Sequence, residues 1–171
     1  MITDKKQTSQ ESKIKSYKKL GYTKLESAEI VVRMNQFLSN LHVFNQKVKA
    51  FHWNLTGGEF FDLHEQFEQL YHFNAKTIDE VAERVRVFGH YPTSLLSSYL
   101  ETAEIKEHKE KYTSFEMMKE LRDDMEILID DTVNIVEASI DAGDLGTQDM
   151  ANGMLKELEK RHWMYTSYLA E

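Results

Sequence analysis

Ile30, Met34, Phe37, Leu41, Phe44, Val48, Phe51 and Leu55 follow one another in steps of four and three. A helix turns about 100° per residue, so these steps keep all of them on one stripe. A strand would send its residues alternately to opposite faces. The pattern therefore demands one long helix, beginning near Ser27, with a buried face. Gly57 and Gly58 end it, because glycine takes the left-handed cap conformation at little cost. A stripe of this length is covered most simply by other helices.

The same rhythm returns three times. A second helix is expected from about Phe60 to Phe88, with Leu63, Phe67, Leu70, Val81, Val85 and Phe88 inward, stopped by "GHYP". A third carries Met118, Leu121, Met125, Leu128, Thr132, Ile135 and Ser139, and ends at "DAGDLG". A fourth spans roughly Thr147 to Leu169, weakened by Gly153. Helices one and two share a very short turn, as do three and four, so each pair is antiparallel. Between the pairs, about 25 residues from Gly89 to Ser114 can cross the length of a bundle. "TSLLSSYLETAEI" can form a short helix on the way. The expected fold is all-α: a ferritin-like four-helix bundle with a long crossover carrying a short helix. No strand-like alternation or internal repeat competes with it.

Composition narrows the chemistry. The 171 residues suit one domain, and 41% hydrophobic content suits a globular one. There is no cysteine, which excludes disulfides, thiolate zinc sites and thiol catalysis. Any metal must sit on His, Asp or Glu, a donor set that suits iron, manganese or zinc. No apolar run reaches the roughly 18 residues a membrane span needs. "MITDKKQTSQESKIKSYKK" has no apolar core, so it does not read as a secretory signal, and a cytoplasmic location is expected.

The net charge of -8 is unevenly spread. In residues 1–19, six lysines against Asp4 and Glu11 give +4, which leaves -12 for the rest. Residues 1–19 read as a flexible, lysine-rich arm and residues 20–171 as the bundle. A basic arm on an acidic body is either a nucleic-acid tail or a solvated terminus.

The chemistry concentrates in "HWNLTGGEFFDLHEQFE", residues 52 to 68. His52 and His64 flank the Gly-Gly turn, and Glu68 follows His64 by one helical turn. Asp79 and Glu83 lie further along the second helix. Relative to His64, Glu68, Asp79 and Glu83 fall at about 40°, 60° and 100°, on one face. Yet Glu68 and Asp79 are roughly 16 Å apart along the axis, and His64 and Glu83 about 28 Å. Metal–ligand bonds are about 2 Å, so one metal cannot take both pairs from one helix. Either each pair serves a separate site, or a second copy runs antiparallel about an axis near Asn74. The second arrangement makes two equivalent sites across an interface, and His52 joins His64 there. The plainer reading is a solvated face of carboxylates beside a satisfied buried histidine. His72 reads as structural or a rim residue; His42, His90 and His108 read as solvent-facing. Glu159-Lys-Arg-His162 is the one Glu-x-x-His pattern, which argues against a di-iron centre inside one bundle.

"FHWNLTGGEFFDLHEQFEQLY", then "DEVAER" and "FGHYP", closely resembles the Dps family, the mini-ferritins named as DNA-binding proteins from starved cells. "GDLGTQDM" and "EKRHWM" resemble that family's C-terminal helix. The resemblance covers residues 20–170. It implies a hollow dodecamer with a di-iron ferroxidase site at each two-fold interface. By position, His52, His64 and Glu68 come from one chain, and Asp79 and Glu83 from its partner. Many members have Asp where this chain has Glu68.

The implied activity is oxidation of Fe(II), preferably by hydrogen peroxide and otherwise by oxygen. Ferric mineral is then stored and DNA is spared oxidative damage; zinc or manganese can compete for the same donors. Trp53 matches a tryptophan thought to absorb stray oxidising equivalents; its plainer role is to fill an interface. Asp144 and Asp149 match positions that line acidic three-fold pores; alternatively Asp144 or Thr147 caps the fourth helix. The family's other expected role is non-specific DNA binding and compaction through the lysine arm, with nucleoid association, although some members do not bind DNA.

Overall fold

The computed structural model describes residues 21–22, 24–108 and 111–170. The arm expected over residues 1–19 lies outside the described residues. The described residues form five helices, in order α1 Lys24–Asn54, α2 Phe60–Val87, α3 Leu96–Thr102, α4 Ser114–Ala142 and α5 Leu145–Leu169. The described residues contain no strand. The expected all-α bundle is present, and the short crossover helix is α3.

The stripe on α1 forms the spine of the core. Ile30, Met34, Phe37, Leu41, Phe44, Val48 and Phe51 are fully buried, and Leu55 nearly so. Burying one such side chain is worth about 2–3 kcal/mol. α1 packs on α2, α3 and α4, and α4 packs on α5. α1 is therefore covered on more than the stripe: Leu38, Ser39, Asn40 and Lys47 are buried too.

The crossover and α4 share in this extra burial. Asn40 Oδ1 accepts the backbone N–H groups of Glu104 (2.7 Å) and Ile105 (3.1 Å), while its Nδ2 donates to Asp131 on α4 (2.7 Å). Asn35 accepts the Thr93 N–H at 2.9 Å. Lys47 is buried between Glu120 and Asp124 of α4, 2.6 Å from each. Two histidines expected to face solvent are instead packed here. His42 stacks on Tyr99 with ring centroids 4.0 Å apart, and burial, then nearby Lys49, pushes its imidazole pKa down. His108 lies 4.9 Å from the Phe51 ring. Periodicity in α1 could not show that the crossover would lie over its outer side. His90 is exposed as expected.

The helix ends follow capping rules. α4 opens with a capping box between Thr113 and Glu116. α2 closes at Gly89, φ 81°, whose N–H reaches Arg86 O while the His90 N–H reaches Val85 O. α4 closes the same way at Gly143, φ 65°. Both are left-handed glycine terminations with the crossed hydrogen bonds that satisfy the last carbonyls.

Candidate metal centre

The turn between α1 and α2 occupies residues 55–59. The Leu55 N–H closes the last turn of α1 on Phe51 O at 2.9 Å, and Gly57 takes φ 109°. The chain reverses within this short span, so the end of α1 lies beside the start of α2. This places His52 against His64, with ring centroids 3.7 Å apart and planes 22° from parallel.

The two histidines hold each other through the backbone. His52 Nδ1 lies 2.9 Å from His64 O, and His64 Nδ1 lies 3.1 Å from His52 O. A carbonyl oxygen only accepts, so each Nδ1 must carry the proton. In the neutral ring this tautomer leaves the Nε2 lone pair open, the form in which imidazole binds a metal. Phe60 stacks on His64 at 4.8 Å, and Tyr71 meets His52 edge-on at 5.3 Å. His52 is buried and His64 half-buried, so their orientation is fixed by packing as well as by hydrogen bonds.

Glu68 sits one turn beyond His64 with its side chain about half exposed. Tyr71 donates its hydroxyl to Glu68 Oε1 at 3.2 Å, and His72 Nε2 is 3.8 Å from the same oxygen. Burial, then Glu68 itself, pushes the Tyr71 phenol pKa up, which keeps it a donor. His72 is exposed.

Asp79 and Glu83 are exposed on the same helix. α2 runs unbroken from Phe60 to Val87, so nothing folds these carboxylates back towards His64. Among the described residues of one chain, no three His, Asp or Glu side chains converge to hold a metal ion. Glu83 instead lines a groove of about 560 Å³ between α2 and α5, with Lys76, Glu80, Arg84 and Asp149. Asp149 is exposed, while Trp53 is 66% exposed beside His52. His162 pairs with Glu126 of α4 at 3.1 Å.

Asp144 is placed differently from an open pore acid. It is buried and caps α5, accepting the N–H groups of Gly146 and Thr147 at 3.2 Å. The Thr147 hydroxyl, Arg84 Nη2 (2.7 Å) and the Tyr22 hydroxyl (3.0 Å) complete its shell. Burial alone would raise its pKa, but the hydrogen bonds from Thr147 and Arg84 outweigh it and hold the carboxyl below its ordinary value. Of the two alternatives for this residue, the helix cap is the one seen within the chain.

The ferritin-like domain family model matches residues 32–171. The DNA protection during starvation protein of Porphyromonas gingivalis is 37% identical over 148 residues, covering 86% of this chain and 93% of that relative. Dps from Vibrio cholerae, described as a member of a broad superfamily of ferritin-like diiron-carboxylate proteins, superposes with a TM-score of 0.83 at 34% identity. That match covers 85% of this chain and 92% of the other. Dps from Staphylococcus aureus gives 0.81 at 35% identity, over 84% and 97%. The chain belongs to the Dps family.

For a Dps-family chain, the two imidazoles paired at the α1–α2 turn and the carboxylate one helical turn beyond them are chemically apt. Two imidazole nitrogens suit Fe(II), and a carboxylate oxygen also tolerates the harder Fe(III). Sequence reasoning missed Tyr71, Phe60 and the two backbone carbonyls that orient the rings. The only sequence signal for them was the Gly-Gly turn between the histidines, which implies close approach of the two backbones.

Proposed function

We propose that this Dps-family chain is the subunit of an iron store that oxidises Fe(II). The observation that carries the reading is the mutual backbone clasp of His52 and His64, which turns each Nδ1 to a carbonyl and leaves Nε2 as the donor atom of both rings, with Glu68 one helical turn beyond His64. A second copy running antiparallel along α2 would bring its Asp79 and Glu83 to these donors. Two Fe(II) held there can give one electron each to a single hydrogen peroxide, yielding two Fe(III) and two hydroxide ions. No one-electron step then releases a hydroxyl radical; oxygen serves as the slower oxidant. In a hollow dodecamer the ferric product would collect inside. Zinc and manganese would compete as non-productive ions. Trp53, exposed next to His52, is the nearest indole to quench a stray oxidising equivalent.

Adding Fe(II) and half an equivalent of peroxide should produce ferric absorbance at once, and the double variant His52→Ala/His64→Ala should lose the fast phase. Equal rates in the two proteins would refute the site.

A second role is supported by charge. Residues 1–19 carry +4, and the Porphyromonas gingivalis relative is named for DNA protection. Weak phosphate contacts repeated over many subunits would add up, in a salt-sensitive way. No helix among the described residues is long and apolar enough to cross a membrane, and the cytoplasm, with the nucleoid when DNA is bound, is the compartment we propose.

A further inference from the structure

We infer that Tyr71 is a positioning residue: its hydroxyl pins one oxygen of Glu68 so that the other is presented to the metal beside His52 and His64. The inference rests on the iron site proposed above and extends it to a residue outside the ligand set.

Glu68 stands alone among the three donors on this side in having no packing to orient it. His52 and His64 are clamped by backbone and rings, whereas the Glu68 side chain is about half exposed. A glutamate has three side-chain torsions, and an exposed one samples many rotamers. Tyr71 lies three residues on, where side chains on one helix face meet. Its hydroxyl reaches Oε1 at 3.2 Å, and the weaker approach of His72 at 3.8 Å falls on the same oxygen. Both contacts fall on Oε1, which leaves Oε2 as the oxygen we assign to the metal. The Tyr71 ring simultaneously forms an edge-on wall to His52, with Lys49 5.8 Å from its centroid. One side chain thus touches the carboxylate on α2 and the imidazole on α1. Packing requires only the ring; the hydroxyl is what acts on Glu68. An aspartate would be shorter and stiffer, so a restraint of this kind matters most where the ligand is glutamate.

The test uses the assembled full-length protein and Co(II), a redox-inert stand-in for Fe(II) with a ligand-field spectrum, under anaerobic titration. Tyr71→Phe keeps the ring and removes the hydroxyl. It should weaken the Co(II) site by roughly five- to tenfold, the scale of one charge-assisted hydrogen bond partly screened by solvent, with the melting temperature unchanged. In a Glu68→Gln background, Tyr71→Phe should add little further loss, because the carboxylate it restrains is gone. Unchanged Co(II) affinity in Tyr71→Phe overturns the inference, as does an undiminished loss in the Glu68→Gln background. His52→Ala/His64→Ala separates the two levels. If that variant binds Co(II) as well as the parent, the iron site itself is wrong and Tyr71 has nothing to position.

Discussion

Asp131 is a buried carboxyl on α4 whose hydrogen-bond donor is an amide, Asn40 Nδ2, at 2.7 Å. Burial pushes its pKa up to about 6, and Glu104 and Asp130 add to this against Asn40 and Arg33. A carboxyl raised in the folded state holds its proton more tightly there than in the unfolded chain. Its stabilising contribution is complete below the ordinary value and is lost as pH rises through about 6. Asp131→Asn removes this titration. Relative to the parent, that variant should gain on the order of 2 kcal/mol in stability between about pH 4 and about pH 7, read from urea unfolding at each pH. A constant difference across the range would show that Asp131 does not titrate there. At this scale, residue types and spacing pointed to His52 and His64 as a pair, because they sit on either side of a turn that brings their rings together. They could not reveal the tautomers, which depend on two carbonyls meeting across that turn. Nor could they show that the partners of Asp144 come from Arg84, sixty residues away, and Tyr22.

Among the elements, the α4–α5 turn is the point where three parts of the chain are tied. Asp144 caps α5, pairs with Arg84 of α2 and accepts from Tyr22 ahead of α1. Asp144→Ala should cost about 3 kcal/mol, since it removes a cap and leaves a largely buried guanidinium without its counter-ion. Denaturant unfolding measures this; a loss below about 1 kcal/mol, the value of a simple surface cap, would show that the Arg84 pair contributes little. The helices themselves were legible because four-three spacing and glycine stops are local signals. α1 begins three residues before the expected Ser27, and α5 begins at Leu145, ahead of the expected Thr147. Both differences come from end residues outside the apolar stripe. The crossover was legible as a length but not as a position, and so His42 and Asn40 looked freer than they are.

At the scale of the whole molecule, a single chain leaves large apolar side chains uncovered, among them Phe61 at 83%, Leu96 at 77% and Trp53 at 66% exposure. Assembly would cover such surface. In the proposed iron store, Fe(II) would be drawn in by acid that remains open. Asp149 is exposed while Asp144 is committed to its cap, so Asp149→Asn alone is the clean test. It should slow Fe(II) uptake and flatten its dependence on ionic strength, with the assembly intact. Unchanged stopped-flow kinetics would remove Asp149 from the route. Deleting residues 1–19 should abolish DNA retention in a low-salt gel shift; equal retention would discard the lysine arm as the DNA contact.

In the arrangement we propose, each iron site is shared by two chains, because unbroken α2 keeps His64 and Glu83 about 28 Å apart. Two inactive variants test it directly: His52→Ala/His64→Ala, and Asp79→Asn/Glu83→Gln. Each homodimer lacks half the ligands at both of its sites. In a mixed dimer one site loses everything. The other takes histidines from the second variant and carboxylates from the first. With random pairing, half the dimers are mixed and one of their two sites is whole, so roughly a quarter of sites should recover. The measurement is the ferroxidase rate of the co-assembled variants, with mixed dimers verified by mass. Recovery near a quarter of the parent rate is the predicted result; a mixture no more active than either variant alone would contradict the shared site.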